Sequence, residues 1–323
     1  LKREIKRKKP AMILYPVPPW YVLLTAPLMK FITGVPYAID YIDPWVYDLK
    51  RKNFKARASQ WIARTLEGWI VRRCALIFSV SQGILNDLVK RYPAAGSKTM
   101  VALPYGVELN DYAGLARGEE NGRGFTLIRY IGAVSDASVR VAKAMLNAIK
   151  LLLAHESLKV EFIGTSYAGK GLSQPKLKNI IGELQLNDTV TEFPNRVTYR
   201  KALELTMSAD ILLLFGDMTV YYAASKLMGL VASGKPFIAF VHRESFPAEF
   251  LRSLNYPFMV QYSGTAGDSP EEKTGELRNV LERLILNRHD FTPIDKHHPA
   301  FEIHTAEGMT KIFADNIKKA LTI

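Results

Sequence analysis

Short apolar runs alternate along the chain with segments whose apolar residues recur at helical spacing, and this alternation predicts strands separated by helices. In the first third of the sequence, apolar runs predict strands at residues 11–15, 35–41, 75–80 and 99–103. Helical spacing predicts helices at residues 21–32, 53–73 and 82–91. Continuous apolar strands separated by helices are typical of a parallel sheet covered on both faces, so we expect an α/β domain here.

A second series of the same kind follows residues 110–124, which are rich in Gly and polar side chains and are predicted to form a linker. The predicted strands are residues 126–131, 159–163, 190–193, 210–215 and 236–241. The predicted helices are residues 138–153, 177–184, 199–208 and 224–232. Two such series predict an α/β protein with two Rossmann-like domains, which comprise residues 1–115 and residues 116–323.

Residues 10–29 carry no charged side chain and are numerous enough for a transmembrane helix. Four prolines interrupt them, at Pro16, Pro18, Pro19 and Pro27, and interior prolines break the continuous helix that a bilayer requires. No small-residue cleavage site closes the apolar run, so a secretory signal peptide is not predicted either. We therefore expect a strand, a Pro-rich turn and a short helix in this region.

The composition is that of a globular protein, because apolar residues make up 48% of the 323 residues and charged residues 23%. This balance excludes a disordered, collagen-like or low-complexity chain. The single cysteine, Cys74, excludes an intramolecular disulfide and a cysteine-cluster metal site, and it favours a reducing compartment. We therefore expect a cytoplasmic protein.

The net charge of +12 is concentrated in the N-terminal part of the chain. Residues 1–115 contain 18 Lys and Arg against 8 Asp and Glu, whereas residues 116–323 contain 25 against 23. Basic charge confined to one region predicts a surface that meets phosphate groups. Those phosphates belong either to nucleic acid or to the headgroups of an anionic membrane.

Glycines follow three of the predicted strands of the second series, at Gly132, Gly164 and Gly216. Ligands of open α/β sheets bind at the carboxyl ends of the strands, and glycine there permits close approach of the backbone to a ligand. Glycine after a strand is also ordinary turn chemistry. No G-x-G-x-x-G follows the first strand of either series, which disfavours a simple dehydrogenase, and the absence of G-x-x-x-x-G-K-[ST] excludes a Walker-type phosphate loop.

Ser225 and Lys226 open the predicted helix at residues 224–232, after a buried strand and a loop. Ser at a helix start caps free backbone N–H groups, and the helix dipole there favours an anion. Lys226 adds a full positive charge, so the segment predicts a diphosphate site without a metal. The alternative is an ordinary capped helix with a solvated lysine.

Residues 207–241 resemble the donor-binding segment of family 4 glycosyltransferases, in the branch whose helix begins Ser-Lys-Leu and continues to a small-residue-Gly-Lys-Pro turn. Other pieces agree with this family in order and approximate spacing, namely DYIDPW at residues 40–45, FSVS at 78–81, LPYGVE at 103–108, IG at 131–132, FIG at 162–164 and SAD at 208–210. The resemblance covers nearly the whole chain. It implies the GT-B fold, in which two Rossmann-like domains face each other across a cleft.

The resemblance also implies transfer of a sugar from a nucleotide-diphosphate sugar, UDP being the expected nucleotide, to a glycan or lipid-linked acceptor with retention of the anomeric configuration. It implies that the C-terminal domain holds the donor. We assign Lys226 and Asp43 as candidate catalytic residues, and Asp43 either binds an acceptor hydroxyl or caps the turn before Pro44. The candidate donor-binding residues are Gly132, Arg140, Lys143, Gly164, Val197, Ser225 and Lys226.

Two basic positions of the family pattern are occupied here by Ala133 and Ser138. Arg140 and Lys143 on the following helix are candidates to replace them as diphosphate cations, and the alternative is that both form a solvated helix face. No cofactor or metal is expected, because the Asp-x-Asp sequence of metal-dependent GT-A enzymes does not occur. The histidines between residues 297 and 304 are expected on a surface loop beside Pro299.

Tyr221 and Gly229 occupy the positions of two family glutamates, of which one lies near the donor sugar and the other on the ribose. These departures keep a second interpretation open, a GT-B protein that binds a partner or lipid without catalysis. The DYIDPW segment lies well inside the first domain of the family. Its position at residue 40, in a chain without an initiator Met, predicts that the first part of the N-terminal domain is missing, unless the chain is a minimal natural variant.

The basic residues at 2–9 and at 50–73 predict docking on anionic lipid, where each basic side chain near the surface contributes about 1 kcal/mol. The apolar residues of the predicted helix share one face, at Trp61, Ile62, Leu66, Trp69 and Ile70. No nucleic-acid motif is present, so a basic nucleic-acid-binding protein is the less favoured alternative. We expect a peripheral enzyme of polysaccharide or glycoconjugate synthesis on the cytoplasmic face of a membrane.

Overall fold

Two compact units make up the chain in the computed structural model, which describes residues 1–46, 54–116, 118, 124–169 and 171–322. Unit 1 comprises Leu1–Pro104 and Glu307–Ile323, and unit 2 comprises Tyr105–Ala306. Each unit contains a parallel β-sheet. The α/β class predicted from the alternating apolar runs is therefore confirmed.

Unit 1 is built on a four-stranded sheet in the order β1-β2-β3-β4. Its strands are β1 (Ile13–Val17), β2 (Tyr37–Tyr41), β3 (Leu76–Ser79) and β4 (Thr99–Ala102). Its first helices are α1 (Lys2–Lys8), α2 (Thr25–Thr33), α3 (Phe54–Val71) and α4 (Gln82–Arg91), with 3₁₀ turns at Trp20–Leu24 and Pro93–Ser97. Every strand and helix predicted between residues 11 and 103 is present, and α1 is an addition to them.

The C-terminal helix, α12 (Ala306–Leu321), returns the chain to unit 1. The ring of Phe313 stacks on that of Phe78 in β3 with 4.6 Å between the ring centroids, and Ile317 packs against the same apolar cluster. The units consequently differ from the domains predicted from the sequence. Unit 1 ends at Pro104, not at residue 115, and it also contains residues 307–323, because the apolar face of α12 packs on the sheet of unit 1.

Unit 2 is built on a six-stranded sheet in the order β10-β9-β8-β5-β6-β7. Its strands are β5 (Thr126–Ile131), β6 (Leu158–Ile163), β7 (Val190–Phe193), β8 (Ile211–Phe215), β9 (Phe237–His242) and β10 (Met259–Tyr262). Its helices are α5 (Val139–Leu152), α6 (Lys178–Glu183), α7 (Tyr199–Met207), α8 (Leu227–Ser233), α9 (Phe246–Ser253), α10 (Thr274–Leu286) and α11 (Pro299–Glu302). The elements from α9 onward are not among the predicted ones.

The middle of the unit 2 sheet is buried on both faces. Every residue of β8 and β9 is buried, and the ring of Phe215 in β8 stacks on that of Tyr130 in β5 with 4.2 Å between centroids. A strand covered on both faces needs apolar side chains on both sides, which explains why these strands read as uninterrupted apolar runs. The predicted linker at residues 110–124 belongs to unit 2 and overlaps a 3₁₀ turn, Leu109–Tyr112, and part of it lies outside the described residues.

The apolar face predicted for residues 53–73 is buried only at its C-terminal end. Ile70 is fully buried, whereas Trp61 is 70% exposed and Ile62 and Trp69 are also exposed. The buried carboxylate of Glu67 anchors this end of α3, because it accepts hydrogen bonds from side chains at the end of α4 and just after it. The rest of the helix therefore presents aromatic and aliphatic side chains to solvent.

Across the described residues, no helix has both the length and the apolar composition needed to cross a bilayer. Residues 10–29 instead contain β1, the 3₁₀ turn Trp20–Leu24 and the first half of α2. The peptide bonds before Pro18 and Pro19 are cis, and they lie between β1 and this turn.

Candidate functional site

A cavity of about 680 Å³ lies within unit 2, at the carboxyl ends of β5, β6 and β7 and beside the start of α8. In the sheet β5 lies between β6 and β8, so the strand order reverses between β5 and β8. Such a reversal opens a crevice at the strand ends, where doubly wound sheets bind their ligands. Five of the eight candidate site residues line this cavity, namely Gly132, Gly164, Val197, Ser225 and Lys226.

Gly132 brings the backbone at the end of β5 against the Lys226 side chain. Its φ is +144°, a conformation that favours glycine. A Cβ atom at this position would overlap Lys226 Cε and lie 2.5 Å from Nζ. Glycine is therefore needed at residue 132 for the ammonium to occupy its place. Gly164, at the end of β6, has a φ of +75° that also favours glycine, but a Cβ atom there would make only an ordinary van der Waals contact, 3.7 Å from Arg196 Cα.

Lys226 presents a partly buried ammonium to the cavity. Within the described residues its side chain forms no hydrogen bond or ion pair, and Nζ lies 5.4 Å from the ring centroid of Tyr130. Burial, and to a smaller extent the nearby positive charge of Arg196, lower the pKa of Lys226 to about 8. A buried cation without a carboxylate partner favours a bound anion.

Arg196 supplies a second cation that the sequence reasoning missed. It lies in the loop after β7, directly before the predicted residue Val197. Arg196 is exposed, lines the cavity and forms no ion pair with any described residue. The signal that could have identified it was a basic residue just beyond the carboxyl end of a predicted strand. By contrast, Arg129 also lines the cavity but is neutralised, because Nε donates to Glu161 at 2.6 Å.

The predicted cap at Ser225 is not present. Helix α8 begins at Leu227, its N-cap position is Lys226, and no side chain caps its first turn. Ser225 is exposed and lines the cavity from the loop before the helix. The sequence expectation placed the start of α8 too early, because the residues from Tyr221 to Lys226 form turns and loop before the helix begins at Leu227. The groups that this side of the cavity offers to an anion are consequently the Lys226 side chain and loop backbone, not a capped helix start.

Glu108 is the only carboxylate among the described residues that line the cavity. Its Oε1 accepts a hydrogen bond from the backbone N–H of Asn110 at 3.0 Å. The neighbouring wall contains Gly229, where a Cβ atom would lie 2.8 Å from the Tyr112 hydroxyl oxygen. A glutamate at residue 229 would therefore require Tyr112 to move, and Glu108 provides acidic oxygens in the same cavity.

Arg140 and Lys143 do not line the cavity, and both form ion pairs on the exposed side of α5. The guanidinium of Arg140 binds both carboxylate oxygens of Glu271, at 2.6 and 2.8 Å, and this pairing raises the pKa of Arg140. Lys143 Nζ lies 3.0 Å from Glu183 Oε2. The structure thus does not bring these two residues together with the other donor-binding candidates.

Asp43 belongs to unit 1, two residues after β2. Partial burial raises the pKa of its carboxyl. Trp45 follows it and stacks on Trp20 with 5.9 Å between ring centroids, which holds this loop against the 3₁₀ turn. The catalytic role of Asp43 stays a prediction.

The histidines near the C-terminus differ in their surroundings. His297 is exposed, and His298 caps α11 by accepting a hydrogen bond from the N–H of Ala300. His304 is buried edge-on against Phe246 and another aromatic ring, and this burial lowers the pKa of His304 to about 4. The prediction that His304 lies on a surface loop is therefore wrong. The part of the chain that the structure describes contains no group of three or more His, Cys, Asp or Glu side chains arranged to hold a metal ion.

No protein-family model and no curated protein sequence matches this chain. Solved structures match it over nearly its whole length. Sucrose-phosphate synthase from Thermosynechococcus elongatus matches with a TM-score of 0.68 and 12% identity, over 99% of this chain and 76% of that one. Anabaena HepE in complex with UDP and glucose matches with a TM-score of 0.67 and 13% identity, over 98% and 81%.

A third solved structure, α,α-trehalose 6-phosphate synthase from Burkholderia multivorans, matches with a TM-score of 0.66 and 12% identity, over 100% of this chain and 75% of that one. All three have the GT-B fold with two Rossmann-like domains. The protein therefore has the GT-B fold, as the resemblance to family 4 glycosyltransferases implied. At identities this low the likeness defines the fold and not the activity.

Proposed function

We propose that the protein is a glycosyltransferase that moves a sugar from a nucleotide-diphosphate sugar to a glycan or lipid-linked acceptor. The observation that carries this proposal is the cavity of unit 2, which holds Lys226 and Arg196 beside two strand-end glycines. Neither cation has an ion-pair partner among the described residues. A diphosphate would supply the missing negative charge, and HepE with its UDP and glucose is a structural neighbour that binds such a ligand.

The cavity is lined by both cations and a carboxylate, which suit the phosphates and the ribose of a nucleoside diphosphate. Lys226 and Arg196 bind the phosphates, and the backbone at Gly132 and Gly164 approaches them closely. Glu108 accepts hydrogen bonds from the ribose hydroxyls. It replaces the family glutamate whose position is occupied here by Gly229. The volume of about 680 Å³ lies within the range of small-molecule sites, which is roughly 300–1,000 Å³.

The proposed reaction breaks the bond between the anomeric carbon of the sugar and a β-phosphate oxygen. Negative charge builds on the leaving diphosphate, and Lys226 and Arg196 stabilise it because both cations line the cavity that holds it. The acceptor hydroxyl oxygen forms the new bond on the same face of the sugar, which retains the anomeric configuration. The leaving phosphate takes the hydroxyl proton, and Asp43 is proposed to bind the acceptor hydroxyl.

We propose that donor binding needs no divalent metal ion. The ammonium of Lys226 and the guanidinium of Arg196 provide two positive charges at the place where diphosphate charge has to be neutralised. UDP is the proposed nucleotide. The proposed setting is polysaccharide or glycoconjugate synthesis at the cytoplasmic face of a membrane, with no role for nucleic acid.

Isothermal titration calorimetry with UDP, GDP, ADP and dTDP, with and without Mg²⁺, tests the donor site. We expect UDP to bind without Mg²⁺ and Lys226→Ala to weaken binding by about 10–100-fold, the cost of a charge-assisted contact. Lys178→Ala, an exposed lysine on α6, is the matched control. Unchanged UDP affinity in Lys226→Ala would remove Lys226 from the proposed site. Radiolabelled transfer from UDP-sugars to lipid-linked acceptors then tests catalysis.

A second candidate function, ligand binding without catalysis, is favoured by one observation. Tyr221 and Gly229 stand where the family carries two glutamates, and Tyr112 fills the space beside Gly229. A non-catalytic protein would bind UDP as tightly as proposed and yet neither transfer nor hydrolyse any UDP-sugar. If the protein forms a transfer product from one UDP-sugar and Lys226→Ala abolishes this product formation, the protein is an enzyme.

A further inference from the structure

Unit 1 exposes an apolar face along the 3₁₀ turn Trp20–Leu24 and the following helix α2. Phe31 is 89% exposed, Tyr21 is 72% exposed, and Leu24, Leu28 and Ile32 are exposed as well. These residues recur every three or four positions, so they occupy one side of the continuous helical segment, whereas Leu23 and its buried neighbours occupy the other. The solvent side of a surface helix normally carries polar and charged residues.

No charged side chain interrupts this face. Lys30 is the single charged residue between Trp20 and Thr33. Its Nζ donates a hydrogen bond to the carbonyl oxygen of Arg73 at 2.8 Å, and this contact ties α2 to the end of α3. A large exposed apolar patch of this kind marks an interaction surface.

Helix α3 adds exposed aromatic side chains to unit 1. Helix α3 packs beside the 3₁₀ turn and exposes Trp61 and Trp69. The guanidinium carbon of Arg73 lies 5.0 Å from the ring centroid of Trp69, so a cation and an indole are combined at the α2 end of the helix. Trp and Tyr rings accompanied by Arg or Lys are typical of the interface between water and a bilayer.

A basic helix adjoins α2. Helix α1 contacts α2, and apart from Ile5 all of its side chains are exposed, namely Lys2, Arg3, Glu4, Lys6, Arg7 and Lys8. Glu4, its one acidic residue, is neutralised by Arg7 at 2.5 Å. The whole of unit 1 contains 21 Lys and Arg against 8 Asp and Glu, whereas unit 2 contains 22 against 23.

We propose that this docking face, formed by the exposed side chains of Trp20–Thr33, of α1 and of α3, binds the surface of an anionic lipid bilayer. The apolar side chains enter the headgroup region while the surrounding Lys and Arg contact lipid phosphates. Charge complementarity selects this occupant, since the positive charge of the protein belongs to the unit that exposes the apolar face. Nucleic acid would satisfy the basic side chains but would leave Leu24, Leu28 and Ile32 in water.

The inference deepens the proposed function by naming the surface that brings the enzyme to a lipid-linked acceptor. Its test uses neither nucleotide nor transfer, so the two proposals fail independently. Co-sedimentation is measured with vesicles of phosphatidylcholine alone and of phosphatidylcholine with phosphatidylglycerol. We expect binding to the mixed vesicles only, weakened by added salt because the Lys and Arg contacts are screened.

The double variant Leu28→Ser with Phe31→Ser tests the apolar part of the docking face. We expect its affinity for the mixed vesicles to fall by about tenfold or more, because two large side chains no longer enter the lipid. Leu151→Ser with Leu286→Ser is the matched control, since both leucines are exposed on helices of unit 2. Far-ultraviolet circular dichroism and thermal unfolding verify that both variants fold.

Three results would overturn the proposal. The first is failure of the unsubstituted protein to bind the mixed vesicles at low salt. The second is equal vesicle affinity in the two double variants. The third is binding to duplex DNA as tight as to vesicles and equally weakened in Leu28→Ser with Phe31→Ser, which would assign the face to nucleic acid.

Discussion

Unit 1 and unit 2 both carry a parallel sheet with helices, yet their surfaces differ in charge and in apolar exposure. Unit 1 holds an excess of thirteen basic residues and exposes Tyr21, Phe31 and Trp61, whereas unit 2 is nearly neutral. Unit 2 buries its apolar residues in a large core around β8 and β9 and contains the cavity with Lys226 and Arg196. The net charge of a unit therefore does not indicate whether that unit contains the cavity lined by cations.

The difference shows how misleading the net charge of +12 is as a guide to the ligand site. The cations proposed to bind a diphosphate are two residues in a unit with slightly more acidic than basic side chains. What distinguishes them is position, because both line a cavity and have no carboxylate partner among the described residues. The many exposed cations of unit 1 act on an extended surface, where each contributes little on its own.

The largest expected effect concerns the separate cores. Phe215→Ala in unit 2 and Phe78→Ala in unit 1 should each lower the free energy of unfolding of its own unit by about 3–5 kcal/mol. Both rings are buried, and each stacks on a second ring, that of Tyr130 or that of Phe313. Hydrogen exchange resolved along the sequence measures the effect, with protection lost in one unit and kept in the other.

Unit 1 provides both the control variant for these two substitutions and the result that would contradict the prediction. Phe31→Ala removes an exposed ring and should change the free energy of unfolding by less than about 0.5 kcal/mol. Helix α12 should lose protection in Phe78→Ala and not in Phe215→Ala. The opposite result would return α12 to unit 2.

The next effect concerns the backbone of the cavity. Gly132→Ala should weaken UDP binding by about 10–100-fold, as Lys226→Ala does, because a Cβ atom takes the place of the Lys226 side-chain end. Gly182→Ala in α6 is the matched control, since a Cβ atom there meets open space. Vesicle binding by unit 1 should be the same in both variants. Calorimetry measures UDP binding and co-sedimentation measures vesicle binding on the same samples. Loss of both UDP binding and vesicle binding in Gly132→Ala would contradict the prediction.

The pH dependence of UDP binding should report on Lys226 in the cavity of unit 2. The pKa of Lys226 is lowered to about 8, so the ammonium is charged below pH 8 and loses its proton as the pH rises through that value. UDP affinity should therefore be constant from pH 6.5 to about 7.5 and then fall by up to about tenfold per pH unit above pH 8. Lys226→Met should remove this dependence. A profile that is unchanged in Lys226→Met would assign the titration to another group.

A smaller effect tests the acidic end of the cavity. Glu108→Gln should weaken binding of UDP by about fivefold, roughly 1 kcal/mol, because an amide accepts ribose hydroxyl hydrogen bonds less strongly than a carboxylate. The affinity for 2′,3′-dideoxy-UDP should be the same in Glu108→Gln and in the unsubstituted protein, since that nucleotide lacks both hydroxyls. Calorimetry with the two nucleotides measures the difference. An equal loss for both would show that Glu108 does not contact the ribose.

The smallest effect concerns the cations outside the cavity. Arg140→Ala and Lys143→Ala should change UDP affinity by less than about twofold, because each side chain is held by a carboxylate on an exposed face. Calorimetry under the conditions used for Lys226→Ala checks this. A tenfold loss in either variant would show that its ion pair opens and that the side chain reaches the diphosphate.

Much of the candidate site followed from sequence because its positions depend on local pattern. Gly132 and Gly164 come directly after continuous apolar strands, and Lys226 lies between a buried strand and a helix. Arg196 was missed because it follows a short strand and has no motif around it. Ser225 was given a capping role because the sequence does not show where the loop ends and the first turn of α8 begins.

The sequence by itself determined the alternation of strands and helices, the parallel sheets and the glycines at the strand ends, because these follow from the burial of neighbouring residues. Only the tertiary structure decided that α12 belongs to unit 1, that Arg140 and Lys143 pair with carboxylates outside the cavity, and that Trp61 is exposed. The reason is physical, since each depends on residues distant in sequence. A helix face has the same pattern whether a sheet, a carboxylate or solvent lies opposite it.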